Sequence, residues 1–206
     1  MKRFFMYCIV IIGTLFVGLS FYMFAKNNED ITCTVPQGET VYLNVGESFD
    51  IPINHTKPNK RTTIETKSDN SNVASINAES GKIEAKAGGT ATINITPSNA
   101  NFGPFVFTVR IGDGSTDNPY FISSAEQMLR LGAMDTLWTL GDSYEVVSNI
   151  DFKETWVDGN ATSWKPIGDR DNHFTGNFNG GTKTISNLII DETCSSDYVG
   201  LFGYVE

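Results

Sequence analysis

Hydrophobic and polar positions divide the chain into three stretches of different period. The first, Phe4 to Ala25, is apolar to weakly polar and carries no charge. At about 1.5 Å per residue a helix of this length spans about 33 Å, enough for a hydrocarbon core of about 30 Å. From residue 31 to 112 the period is two. Phe49, Ile51 and Ile53 alternate with polar residues, as do Ala91, Ile93 and Ile95, and then Phe105, Phe107, Val109 and Ile111. Runs at Thr40–Val45, Arg61–Glu65, Val73–Asn77 and Lys82–Lys86 complete the set, with turns at Gly46-Glu47, Glu79-Ser80-Gly81 and Gly88-Gly89. Six or seven short, half-buried strands at close spacing predict an antiparallel β-sandwich.

Gly112 to Pro119 is a turn-rich boundary. Beyond it, Ser123 and Glu126 have the spacing of a capping box. Ala125, Met128, Leu129 and Met134 would form the stripe of one short amphipathic helix ending near Gly132. Short strands with Gly and Asn at the corners follow, at Tyr144–Val147, Asn149–Phe152, Trp164–Gly168, Phe174–Gly181, Thr184–Ile190 and Val199–Val205. Their recurrence every 20 to 30 residues or so predicts the coils of a β-solenoid.

Two of these stretches resemble known families. Leu43-x-Val45-Gly46-Glu47, Ser68-Asp69-Asn70-Ser71-Asn72-Val73-Ala74-Ser75-Ile76 and the run from Ser80-Gly81-Lys82-Ile83 through Gly88-Gly89-Thr90-Ala91-Thr92-Ile93 resemble the bacterial Ig-like group 2 domain. The tryptophan often found just before the Ser-Asp segment is replaced by Ile64 or Thr66. The resemblance implies an Ig-like sandwich over 31–112, used as a spacer or adhesin segment. Asp117-Asn118-Pro119-Tyr120-x-Ile122-Ser123-Ser124-Ala125-Glu126, Asn149-Ile150-Asp151, Trp164-x-Pro166-Ile167-Gly168, Phe174-x-Gly176-x-Phe178-x-Gly180, Ile185-Ser186-Asn187-Leu188 and Gly200-Leu201-Phe202-Gly203 resemble the opening of a GLUG-type repeat region. Such regions occur in large secreted bacterial surface proteins, including the non-catalytic N-terminal part of some immunoglobulin A metallopeptidases. This implies a right-handed parallel β-helix over 117–206, its first coil capped by the helix. With one Gly-Leu-Phe-Gly where several repeats are usual, the segment reads as an incomplete start. The expected fold is therefore all-β, an Ig-like sandwich and a partial β-helix behind one N-terminal transmembrane helix.

Charge sets the location and removes classes of partner. Lys2 and Arg3 precede the apolar segment and place the N-terminus in the cytoplasm. Residues 1–26 read as a signal anchor or a signal peptide. The uncleaved anchor is favoured, because the apolar core is too long for a cleaved signal and Met23 and Ala25 make a poor cleavage site. Cys8 lies too early, and Cys33 too late, for a lipoprotein. Residues from about 27 onward are then extracytoplasmic. With Lys2 and Arg3 set aside, the 15 basic residues become 13 against 24 acidic, a balance of −11. That excludes nucleic acid as a partner and disfavours anionic lipid headgroups.

The search for chemistry finds no catalytic, cofactor-binding or metal-ligating residue to assign. His55 and His173 are too far apart for a zinc helix, and no nucleophile elbow or phosphate loop is present. Cys8, Cys33 and Cys194 form neither a zinc pattern nor a disulfide framework, although a Cys33–Cys194 bridge is open. Asp151, Asp158, Asp169 and Asp171 are the carboxylates that paired acid–base hydrolysis would need. Polar turns place acids on surfaces in any case. Asp113 with Asp117, or Asp169 with Asp171, offers oxygens to calcium without the rest of an EF-hand loop. His173 has a ligand reading beside Asp169 and Asp171 and a plain turn reading. Trp156 and Trp164 have a sugar-stacking reading, with core packing favoured for Trp164. The three sequons at Asn54, Asn94 and Asn160 read as chance.

The chain is thus expected to be a non-catalytic cell-surface protein. Its partners are the membrane, through the N-terminal helix, and an extracellular glycan or protein ligand. The competing expectation is the N-terminal accessory part of a larger extracellular enzyme, a peptidase or polysaccharide-degrading protein.

Overall fold

A computed structural model describes residues 21–24, 30–33, 35, 37–51, 53–55, 63–98, 103–132, 137–157, 160, 163–190 and 199–206. The described fold is mostly β-sheet with a single short α-helix. Most of the predicted membrane segment lies outside the described residues. Its end, Phe21–Phe24, is a strand (β1) that pairs antiparallel with Asp30–Cys33 (β2). The helix expectation therefore fails at those four positions, where Phe-Tyr-Met-Phe has the aromatic composition that suits a strand. No helix among the described residues is long and apolar enough to cross a membrane.

The next strands are β3 (Thr40–Asn44), β4 (Ser48–Asp50), β5 (Ile53–His55), β6 (Ile64–Ser68), β7 (Ala74–Ile76), β8 (Lys82–Ala85), β9 (Gly89–Pro97) and β10 (Phe105–Gly112). They form a four-stranded sheet, β3-β10-β9-β6, and a three-stranded sheet, β4-β8-β7. The alternation places Ala91, Ile93 and Ile95 of β9 and Phe107, Val109 and Ile111 of β10 on one buried face. Ile83, Ala74 and Ala85 of the smaller sheet bury against the same core. The sheets are not wholly antiparallel as predicted, since β3 runs parallel to β10, Thr40 to Thr108 through Asn44 to Gly112. The run from Phe49 to Ile53, predicted as one strand, also splits. Ser48–Asp50 pairs with β8 and Ile53–His55 pairs with β2.

The remaining strands are β11 (Tyr120–Ile122), β12 (Ser143–Val146), β13 (Ile150–Asp151), β14 (Asn177–Asn179) and β15 (Ile185–Ser186), with helix α1 (Ala125–Gly132) and a 3-10 turn at Phe152–Thr155. Among the described residues these strands pair in parallel, and one isolated bridge, Val157 to Asn160, is antiparallel. Tyr120, Tyr144 and Phe178 stack in successive rungs, Ile150 stacks on Ile185, and isolated bridges join Ser163 to Ile189, Ile167 to Phe202 and Phe174 to Val205. Tyr120 and Tyr144 stand 24 positions apart and Ser163 and Ile189 26, within the 20 to 30 expected, while Ile150 and Ile185, like Ile167 and Phe202, stand 35 apart. The interior of the coil holds Ile122, Met128, Tyr144, Phe152, Trp164 and Phe174. Corners are tight. Gly168 has φ +74°, and a Cβ there would stand 2.6 Å from the Tyr204 carbonyl oxygen of the next rung.

The helix begins one residue later than the capping-box spacing placed it. Ser124 is the cap, its Oγ accepting from the Gln127 amide at 3.2 Å, and Gln127 Oε1 reaches back to the Ser123 amide at 2.8 Å. With the helix starting at Ala125, Gln127 and not Glu126 occupies the third helical position. Ala125, Met128 and Leu131 are the buried stripe and Leu129 packs at its margin. Met134 lies outside the described residues.

Candidate functional site

Three of the carboxylates put forward for chemistry, Asp113, Asp151 and Asp169, serve turns. Asp169 Oδ1 accepts from the amides of Asp171 at 2.9 Å and Asn172 at 2.8 Å. Asp151 Oδ1 accepts from the Lys153 amide at 3.0 Å and from Asn187 Nδ2 at 2.6 Å. Asp113 Oδ1 accepts from the Ser115 amide at 3.0 Å. Backbone donors hold the Asp169 and Asp151 carboxyls below the usual carboxylate range, with the Asn187 side chain adding to the effect at Asp151. A general acid needs the opposite shift. Asp158 lies outside the described residues. Among the described residues no three His, Cys, Asp or Glu side chains gather closely enough to hold a metal ion.

The other candidates divide between core and surface. Trp164 is 1% exposed and packs edge-to-face on Phe152 with ring centroids 5.5 Å apart. It is interior, and its indole N–H donates to the Leu201 carbonyl at 3.3 Å. Trp156 is half-buried beneath Lys153, whose ammonium lies 5.8 Å from the ring centroid. His55 sits in β5, and Cys33 in β2. Cys8 and Cys194 lie outside the described residues, which leaves the Cys33–Cys194 bridge there too. His173 has two oxygen neighbours. Its Nδ1 lies 3.0 Å from Glu206 Oε2, and its Nε2 lies 2.7 Å from the Arg170 carbonyl oxygen.

The densest polar arrangement is one the motifs did not single out, the joint between the sandwich and the coil. Asn44 ends β3 and is 3% exposed. Its Nδ2 donates to the Phe121 carbonyl at 3.0 Å, and its Oδ1 accepts from the Phe121 amide at 2.8 Å. The carboxamide thus occupies both backbone groups of one β11 residue, as a neighbouring strand would. Glu47 supports it, with Oε2 accepting from the Asn44 amide at 2.8 Å and Oε1 from Gln127 Nε2 on α1 at 3.2 Å. On the adjoining surface the Arg110 guanidinium lies over Tyr42 at 5.7 Å and Phe121 at 5.0 Å, and 4.0 Å from Glu145.

The connecting loop closes the joint. The amides of Asp113 and Gly114 both donate to the Asn118 carbonyl, and the Ser143 amide donates to the Gly114 carbonyl at 2.8 Å. A Cβ on Gly112 would collide with the Pro119 carbonyl oxygen and come within 2.9 Å of Asn44 Oδ1. The turn-rich boundary is therefore a packed corner. The sequence signal for it was Asn44 itself, a residue disfavoured in strands at the end of an alternating run.

No family model matches the chain. It is 37% identical over 112 residues to halomucin of Haloquadratum walsbyi, a match that covers 50% of this chain and 1% of that protein. Among solved structures it is similar to domains 4 and 5 of the S-layer protein SbsC, with TM-score 0.30 and 16% identity over 45% of this chain and 53% of that one. A second similar structure is an alpha-galactosidase candidate from Bacteroides fragilis, with TM-score 0.27 and 22% identity over 56% of this chain and 27% of the other.

Proposed function

We propose that this chain is a non-catalytic surface module that holds a coil of parallel rungs outside the membrane on an Ig-like sandwich, as a spacer or adhesive element. On this reading the charge-free run from Phe4 to Ser20, ahead of β1, anchors it, residues 31–112 are a bacterial Ig-like group 2 domain, and residues 117–206 begin a right-handed parallel β-helix of the GLUG type. The observation that carries the reading is the Asn44 joint. A display function requires the outer unit to keep a fixed attitude on its support, and a buried two-point hydrogen bond backed by Glu47 and Gln127 provides that. The turn-bound carboxylates Asp151 and Asp169 add to it, because groups held ionised by amides are poorly suited to proton transfer. The likeness to halomucin over half of the chain supports an extracellular setting.

The test is topological. Protease added to intact cells producing the chain is expected to digest the sandwich and coil while sparing a small membrane-held fragment that contains the run from Phe4 to Ser20. Full protection until the membrane is lysed would place both units inside and refute the proposal.

A further inference from the structure

His173 stands between two acceptors and no donor. Nδ1 faces the Glu206 carboxylate at 3.0 Å and Nε2 faces the Arg170 carbonyl at 2.7 Å. A neutral imidazole carries one N–H, so it satisfies one of these oxygens and turns a lone pair toward the other. The imidazolium donates to both. The face of its ring stacks on Tyr204, with centroids 4.2 Å apart and planes at 28°. That is also a favourable seat for a cation. The two acceptors belong to different pieces of chain. Arg170 is in the turn of the inner rung, while Glu206 and Tyr204 are on the last described rung, 199–206.

That rung also meets the coil elsewhere, the Trp164 indole N–H donating to the Leu201 carbonyl at 3.3 Å. The Phe174 amide donates to the Tyr204 carbonyl and the Glu206 amide to the Phe174 carbonyl, each at 3.0 Å, and Ile167 exchanges bonds with Leu201 and Gly203. Val199 and Val205 are largely exposed on it, and Leu201 and Phe202 are half-buried. The charged groups about the ring are Glu206 from this rung and Asp169, Arg170 and Asp171 from its own turn. Arg170 presents its carbonyl, and the Asp169 carboxylate is turned to the Asp171 and Asn172 amides.

We propose that His173 is a proton-operated clasp, which in its charged form fastens the rung 199–206 to the turn at 169–173 and on losing its proton loosens that rung. The Glu206 hydrogen bond and, after it, the Arg170 carbonyl hold the His173 proton on to higher pH than usual. The sign follows. The fastening is fully present below the ordinary histidine value of about 6.5 and is lost as pH rises through the folded value.

The test is an NMR titration of the 206-residue chain in mild detergent, with amide exchange followed in parallel. The His173 resonance, assigned by its absence in His173→Gln, is expected to titrate above its value in the urea-unfolded chain and to fall back in Glu206→Gln. Protection of the Phe174 and Glu206 amides, referred to their intrinsic rates, is expected to fall as His173 deprotonates. The loss should match the ratio of the two acid dissociation constants of His173, folded and unfolded, because the linkage is reciprocal. In His173→Gln that pH dependence should vanish. A His173 value at or below the unfolded one overturns the proposal. So does protection that ignores the titration, or a raised value that survives Glu206→Gln.

Discussion

The side-chain amide of Asn44 grips the backbone amide and carbonyl of Phe121, 77 positions away. Through that grip the last residue of a sandwich strand becomes the neighbour of the first strand of the coil. Both bonds are buried, so neither Phe121 group has water to fall back on. Asn44→Ala leaves both orphaned and is expected to cost about 1–3 kcal/mol. It should also divide unfolding, because the sandwich and the coil keep separate hydrophobic cores. Calorimetry should show one transition in the native chain and two in the variant. A single, unshifted transition would mean that the joint carries no coupling.

Thr66 sits on β6 opposite Ile95. Its Oγ1 is buried and has no hydrogen-bond partner. A hydroxyl left so is an uncompensated desolvation, and a methyl of the same shape removes it. Thr66→Val is therefore expected to stabilise the chain by about 1–2 kcal/mol, read as a higher denaturant midpoint at unchanged slope. Thr66→Ser, which keeps the hydroxyl and loses the methyl, should go the other way.

The strands of this chain were legible because alternation is a local property. Ala91, Ile93 and Ile95, or Phe105, Phe107 and Val109, announce a buried face within a few residues. Partnership is not local. That β3 lies parallel to β10 depends on how distant strands cross, and the same alternation serves either direction. The helix was legible to within one residue, and the error came from taking Ser123 and Glu126 over Ser124 and Gln127, which have the same spacing. The joint was missed for a related reason. Asn44 was counted as one more polar residue in an alternating run, and nothing near it in sequence shows that its partner is Phe121. For the carboxylates a polar turn was the favoured expectation. Asp151 and Asp169 have the residue type of acid–base catalysts, and their amide partners two or three positions on make them turn residues instead.

Trp164 separates the core reading from the ligand reading of its residue type. Its ring fills the coil between Phe152 and the Leu201 carbonyl. Trp164→Ala is expected to cost about 3–5 kcal/mol, the range for truncating a large buried aromatic. The loss should fall on the coil, with the amides of Ile150, Ile167 and Phe174 losing exchange protection while those of Ile93 and Val109 in the sandwich keep theirs. Trp156→Ala removes a half-buried ring and should cost less than half as much. If the two substitutions prove equal, the coil interior is not packed around Trp164.

Acid should weaken the turns through the same two carboxylates. In the folded chain amide donors hold Asp151 and Asp169 below the ordinary value, which is about 3.9 when unfolded. The sign for a depressed carboxyl is that its contribution is present above the unfolded value and disappears as pH falls through the folded one. Unfolding midpoints measured from pH 6 downward should therefore hold until about pH 4 and then drop. Asp169→Asn keeps an acceptor oxygen for the Asp171 and Asn172 amides but has no charge to lose, so its curve should start lower and fall less steeply. Asp151→Asn should behave alike, with an added loss from the Asn187 contact. Asn187 adopts φ 55°, a left-handed conformation that its hydrogen bond to Asp151 helps to hold. An acid limb as steep in the double variant as in the native chain would assign acid sensitivity to other carboxylates and would leave these two as turn formers without a part in the pH response.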